Sequence, residues 1–190
     1  LVGPDDPVII PPATQKCSYE GELAVVIGRI CKEVPVERAH EVIFGYTVGN
    51  DITARDLQTS DKQWARAKGF DSFCPLGPWI VTHLSLDEAS DLQVTTTVNG
   101  ELKQDGRTSD MVQGIAELIE YVSGFTTLLP GDVILTGTPA GSSVLVPGDV
   151  VEVEVDAPNA QGSPTTGRLV TTVTQGTHEF GDFGNTPKID

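Results

Sequence analysis

Glu20 and Glu22 stand two residues apart at the head of the apolar run Leu23-Ala24-Val25-Val26-Ile27. On a strand, positions i and i+2 point to one face. The next residues on that face are Ala24 and Val26, so the face reads as buried. Two carboxylates about 7 Å apart, the span of two strand residues, repel by about 2–3 kcal/mol at an effective dielectric of 20. Burial adds a desolvation cost. Either one acid keeps its proton or a cation sits between them, and an all-oxygen pair suits a hard ion such as Mg2+ or Mn2+. The plainer alternative is a solvated strand face. The chain supplies its own example of that: Glu152, Glu154 and Asp156 alternate with Val151, Val153 and Val155, a half-exposed antiparallel strand that needs no ion.

Asp51 follows the apolar segment Ile43–Val48, just past Gly49 and Asn50. Strand ends that open into loops are where ligands project. Asp51 is therefore either a third carboxylate for an octahedral ion with open positions or an ordinary helix N-cap. Arg55, Gln58, Arg66 and Lys68 gather cations in a chain that is otherwise acidic. They would clamp an anionic substrate or form surface ion pairs. Thr136-Gly137-Thr138-Pro139-Ala140-Gly141 is a Gly-rich turn with two hydroxyls. It lacks the lysine of a phosphate loop, yet it can offer backbone N–H and hydroxyl donors to a carboxylate.

Composition narrows the class. Lys and Arg number 12 against 27 Asp and Glu, a net charge of −15. That sign argues against nucleic acid and against an anionic membrane surface. No apolar run approaches the roughly 20 residues of a spanning helix. Cys17, Cys31 and Cys74 are odd in number and form no CxxC, so neither a disulfide framework nor a zinc site is expected. Three reduced thiols suit a cytoplasmic protein. His40, His83 and His178 are scattered. No GxSxG, GxGxxG or EF-hand loop occurs. The start at Leu1 rather than Met predicts residues upstream.

The elements that must position these groups read as strands with a few helices. Turn signals recur throughout, and Val, Thr, Gly and Pro are abundant, which favours a β-rich fold. Strands are expected at Ser18–Gly28, Ile43–Gly49, Pro75–Thr82, Leu92–Asn99, Leu102–Gln104, Pro130–Thr136, Val150–Val155 and, more weakly, Leu169–Val173. Asn99-Gly100 is a hairpin signal. Val36–Val42 begins like a helix behind Pro35, and Ile52–Arg66 is helical in part. The stripe Met111, Ile115, Leu118, Ile119 and Val122 predicts a helix over 110–123, capped by Ser109 or Asp110. Leu1–Pro12 reads as a lead-in. Residues 1–173 read as one domain and 174–190 as a loose tail.

Taken in order, several segments resemble the fumarylacetoacetate hydrolase family. They are Tyr19-Glu20-Gly21-Glu22-Leu23-Ala24-Val25-Val26-Ile27-Gly28, Gly45 to Gln58 with its Gly49-Asn50-Asp51 and Ala54-Arg55-Asp56-Leu57-Gln58, and Lys68-Gly69-Phe70-Asp71. Pro75-Leu76-Gly77-Pro78, Val98-Asn99-Gly100-Glu101, Pro130 to Pro139 and Gly148-Asp149-Val150-Val151 complete the set. The likeness runs from about Leu1 to Val173. It implies an α+β, β-rich fold: the mixed β-roll or β-sandwich of the family's C-terminal domain, in a homodimer. It implies a Mg2+ or Mn2+ site of Glu20, Glu22 and Asp51. Arg55, Gln58 and Lys68 would face the substrate, with Lys68 and Arg55 catalytic and Thr138 near the substrate carboxylate.

The substrates so implied are 2-oxo and β-diketo acids. The leading expectation is C–C hydrolysis of an acylpyruvate or fumarylpyruvate. Oxaloacetate-type decarboxylation, isomerisation of 2-hydroxyhepta-2,4-diene-1,7-dioate, and a non-catalytic metal-binding module are the alternatives. A 2-oxo acid offers a carboxylate and an adjacent carbonyl to one ion, and bond cleavage leaves an enolate on that carbonyl oxygen. One departure bears on the outcome. Hydrolases of the family carry a water-activating His-x-x-Glu on a lid helix, and these 190 residues contain no such pair. The expectation is that the lid precedes Leu1. Without it hydrolysis would lack a general base, whereas decarboxylation needs only the ion and an electrophilic cation.

Overall fold

The computed structural model describes residues 1–156 and 166–177. Its strands, in chain order, are β1 (Val8–Ile10), β2 (Cys17–Ser18), β3 (Gly21–Ile27), β4 (Ile43–Asn50), β5 (Thr53–Ala54) and β6 (Leu76–Val81). They continue with β7 (Gln93–Val98), β8 (Glu101–Arg107), β9 (Val133–Leu135), β10 (Val150–Asp156) and β11 (Arg168–Gln175). The helices are α1 (Arg55–Asp61), α2 (Ala65–Lys68), α3 (Leu86–Ala89) and α4 (Ile115–Phe125).

The strands form a five-stranded sheet in the order β1-β11-β10-β7-β8, a four-stranded sheet in the order β6-β4-β3-β9, and the short pair β2-β5. Among the named strands of the described residues, only β1 and β11 run parallel; the other pairs are antiparallel. The result is the expected β-rich α+β sandwich, of one mixed and one antiparallel sheet. Alternation explains the five-stranded sheet. Val151, Val153 and Val155 are at most 1% exposed, whereas Glu152 and Glu154 are half-buried on the outer face. Each such valine contributes roughly 1.5–3 kcal/mol by leaving water. These valines pack towards β3 and β4. Strand β3 is buried at every position, as its unbroken apolar run requires of a strand covered on both sides.

At Gly21 the two sheets approach closely. A side-chain carbon there would sit 2.2 Å from Thr96 Oγ1 of β7 and 2.9 Å from Val153 Cγ1 of β10. The hairpin at Asn99-Gly100 forms as expected, with φ of +54° and +79° at its two residues, the left-handed values that a type I′ turn requires.

Three local expectations are corrected. The helix α4 starts at Ile115 behind an extended Gly114, not at Asp110. Asp110 instead closes a 3-10 turn over Thr108–Asp110, where its carboxylate accepts the Arg107 N–H at 3.3 Å. Within the lead-in, Val8–Ile10 forms β1, because β11 continues to Gln175 and offers it an edge. The strand therefore runs two residues into the expected tail. Val36–Glu41 is helical as expected, in the 3-10 form, with Pro35 just before it. From His178 onward the expected tail lies outside the described residues. No helix among the described residues is long and apolar enough to cross a membrane.

Candidate active site

Strand register brings the acids together. Gly21 of β3 lies opposite Asn50 of β4, and Glu22 opposite Gly49. One step outward, Glu20 faces Asp51, whose N–H donates to the Glu20 carbonyl at 2.9 Å. Directly opposed residues share a face, as do residues two apart on one strand. The three side chains must therefore converge. One carboxylate oxygen from each lies within 4.8 Å of the other two, with Glu20 8% and Glu22 2% exposed. The residue opposite Glu22 is Gly49, and any larger residue there would press on neighbouring leucines. A side-chain carbon at Gly49 would come within 2.5 Å of Leu135 Cδ2, and Leu135 lines the cleft.

Two short helices bring the counter-charges. The pairing of β2 with β5 delivers the chain to Arg55, the first residue of α1. Asp56 pins that helix by accepting from the Thr14 hydroxyl and the Gln15 N–H. Arg55 Nη2 donates to Glu20 Oε1 at 2.5 Å and to Ser142 Oγ at 2.9 Å, while Nη1 donates to Gln58 Oε1 at 3.1 Å. Lys68 ends α2. Its ammonium donates to Glu20 Oε2 at 2.7 Å, to Thr53 Oγ1 at 3.0 Å and to the Asp51 carboxylate.

Glu22 is served differently. Its Oε2 accepts the Gly137 N–H at 2.7 Å, a neutral donor. A carboxylate 4.8 Å away repels it by about 3–4 kcal/mol at an effective dielectric of 20. A typical hydrogen bond returns about 1 kcal/mol net, so this one does not offset the repulsion. Burial, reinforced by Asp51 and Glu20, pushes the Glu22 carboxyl up to about 8. Burial also raises Asp51, against the pull of Lys68. Burial alone would lower Lys68, but its bonds to Asp51 and Glu20 hold the ammonium above its ordinary value. Three carboxylates thus face two cations, and Glu22 is the acid left to a proton or a metal ion. An all-oxygen, buried, anionic donor set of this size fits a hard divalent cation.

Glu20, Glu22, Asp51, Arg55, Gln58 and Lys68 all line one cleft of about 570 Å³, together with Trp64, Leu135 and Gly137. Two residues singled out in the sequence fall elsewhere. The exposed Arg66 pairs with Asp61 at 2.6 Å. Thr138 borders a neighbouring cavity of about 530 Å³ across Gly137. Its hydroxyl donates to the Gly21 carbonyl at 2.9 Å and accepts from Gln104 Nε2 at 2.8 Å. Sequence reasoning missed Trp64, Ser142, Gly137 and Gln104. For Gly137 there was a signal, since the Thr136–Gly141 turn was expected to aim backbone N–H groups at a carboxylate. The acceptor proves to be Glu22. All three cysteines are free thiols.

The model of the fumarylacetoacetate hydrolase C-terminal domain matches residues 1–174. The chain belongs to the fumarylacetoacetate hydrolase family. It is 47% identical to the human mitochondrial oxaloacetate tautomerase FAHD2A over 146 residues, covering 76% of this chain and 46% of that protein. The solved structure of 5-carboxymethyl-2-hydroxymuconate delta-isomerase from Mycobacterium smegmatis is 49% identical, with a TM-score of 0.84 over 92% of this chain and 65% of its own. Maleylpyruvate hydrolase from Sphingobium sp. SYK-6 is 35% identical, with a TM-score of 0.80 over 92% of this chain and 60% of its own. The chain thus spans about half to two thirds of the length of these relatives.

Proposed function

We propose that this chain is the catalytic core of a divalent-cation-dependent enzyme that interconverts keto and enol forms, or shifts a conjugated double bond, in a 2-oxo acid. The observation that carries this reading is the convergence of three buried carboxylates and the Lys68 ammonium in one cleft. Glu20, Glu22 and Asp51 would hold Mg2+ or Mn2+. Such an ion supplies Lewis acidity to the 2-oxo carbonyl.

The protein's own groups do the rest. Lys68 Nζ keeps its proton at neutral pH because Asp51 and Glu20 hold it. It stands where negative charge would develop on an enolate oxygen, and a preorganised cation there stabilises the transition state more than the ground state. Arg55 and Gln58, one turn apart on α1, form the wall that would orient the substrate carboxylate. Trp64 and Leu135 supply the apolar part of the lining.

Tautomerase and isomerase relatives at 47% and 49% identity support the non-cleaving reaction, and hydrolases at 43% and 35% keep cleavage as the second reading. C–C hydrolysis of an acylpyruvate is the second reading. The alignment of maleylpyruvate hydrolase over 92% of this chain favours it, and a departing 2-oxo fragment leaves as the same enolate.

A panel of oxaloacetate, acetylpyruvate and fumarylpyruvate, run with Mg2+ and Mn2+ on wild type and Glu22→Ala, separates the two. Accelerated enol–keto exchange of oxaloacetate that vanishes in Glu22→Ala is expected. Cleavage of an acylpyruvate with oxaloacetate exchange at the background rate would replace the first reading with the second. Carbon dioxide release would instead point to decarboxylation.

A further inference from the structure

Gln104 lies on β8, in the sheet opposite the acids, and is 1% exposed. Its carboxamide is engaged at both ends. Oε1 accepts the Gly21 N–H at 3.1 Å. Nε2 donates to Thr138 Oγ1 at 2.8 Å and to the Pro139 carbonyl at 2.7 Å. Thr138 in turn donates to the Gly21 carbonyl at 2.9 Å. These bonds close a ring through both backbone polar groups of Gly21, the residue between Glu20 and Glu22. The same ring fixes the segment whose Gly137 N–H donates to Glu22. The approach is close enough to exclude side chains. A carbon on Gly106 would meet Pro139 Cβ at 2.6 Å, and one on Gly141 would meet the Lys103 carbonyl at 2.0 Å.

From this ring we infer that Gln104 is a positioning residue for the cation site: it sets the spacing of the Glu20 and Glu22 carboxylates and the aim of the Gly137 N–H without touching ion or substrate. The role needs one acceptor and two donors on one planar group, which among the common side chains only an amide provides. A carboxylate at position 104 would set its oxygen against the Pro139 carbonyl, and a thioether would leave Gly21 N–H unpaired in a buried setting. Asn50 makes the matching contact one residue earlier, its Oδ1 accepting the Glu20 N–H at 3.0 Å. Two consecutive amides beside the acids are thus each held by a buried side-chain oxygen. Partners behind metal ligands commonly set affinity within a 10–100-fold range.

The inference rests on the reading of Glu20, Glu22 and Asp51 as cation ligands, and the test keeps the two apart. Mg2+ is titrated calorimetrically, without substrate, into wild type, Gln104→Met, Thr138→Val, Glu22→Ala and Ile119→Val. The last variant trims the buried face of α4, away from the site, and controls for lost stability. Gln104→Met should weaken Mg2+ binding about 10-fold or more, Thr138→Val about 3-fold or more, and Ile119→Val not at all. Wild-type affinity in Gln104→Met, or a loss no larger than in Ile119→Val, overturns the role of Gln104. Should Gln104→Met fail to fold, Thr138→Val decides by the same rule. Equal Mg2+ affinity in wild type and Glu22→Ala would instead overturn the ligand reading itself.

Discussion

Two stretches of the molecule carry glutamates two residues apart, and they behave as opposites. On β10, Glu152 and Glu154 point outward with side chains 28% and 32% exposed. Arg168 on the neighbouring β11 pairs with both, and the Thr97 hydroxyl donates to Glu152 at 3.0 Å. At the head of β3 the Glu20 side chain is 10% exposed and Glu22 is fully covered. There a third acid, Asp51, is brought in by the adjacent strand. The i, i+2 spacing alone therefore says nothing about metal binding. What separates the two pairs is whether the shared face is open to water and whether strand register adds a further carboxylate that the local cations leave unbalanced.

The sharpest way to break the contrast is to neutralise one acid in each pair. Glu22→Ala should lower Mg2+ affinity by more than about 100-fold, beyond the range for indirect partners, while Glu152→Ala leaves it unchanged. Calorimetric titration of both variants checks this. Comparable affinities in the two would erase the distinction. Next in size, Lys68→Ala should cut turnover about 100-fold, the order expected for losing one preorganised charge at a developing anion. Mg2+ binding should persist, since the lysine competes for the same carboxylates. Steady-state rates at saturating Mg2+ decide this, and turnover within a few-fold of wild type would remove Lys68 from the chemistry.

Protonation gives a third and smaller effect. Glu22 titrates near 4.5 in an open chain and near 8 in the fold. Across that window the folded state binds more protons than the unfolded state, so metal-free stability should fall as pH rises from about 4.5 towards 8. The upward shift of Asp51 acts in the same direction. An incoming cation must displace the proton. Apparent Mg2+ affinity should therefore climb with pH by up to about tenfold per unit below 8. Thermal melts with and without Mg2+ at pH 6, 7 and 8 measure both trends, and an Mg2+-induced stabilisation independent of pH would contradict them. The smallest change is expected on β10. Glu154→Gln removes an exposed ion pair worth about 1 kcal/mol or less, which a denaturant midpoint resolves, and cation binding should not move.

Much of this was legible in the chain. The unbroken apolar run that begins at Leu23 marked Glu20 and Glu22 as unusual, and the resemblance carried by the order of motifs placed Asp51, Arg55, Gln58 and Lys68 beside them. Asn99-Gly100 fixed its hairpin because few other residues accept positive φ twice in succession. What stayed hidden depends on partners distant in sequence. Val8–Ile10 becomes a strand only because β11 offers a parallel edge some 165 residues later. Gln104 looks like any polar residue on an amphipathic strand until Gly21 and the Pro139 turn close over it. Nor did the sequence show that the Thr138 hydroxyl bonds the Gly21 carbonyl and Gln104. The start of α4 was misjudged because Asp110 closes a shorter turn instead, its carboxylate accepting the Arg107 N–H.

The central claim is that the Glu20, Glu22 and Asp51 carboxylates coordinate one ion. Anomalous scattering from crystals grown with Mn2+ tests it most directly. A single strong peak bounded by oxygens of all three side chains is the expected result. A crystal saturated with Mn2+ that shows no peak there, with Lys68 still bridging Glu20 and Asp51, would contradict it.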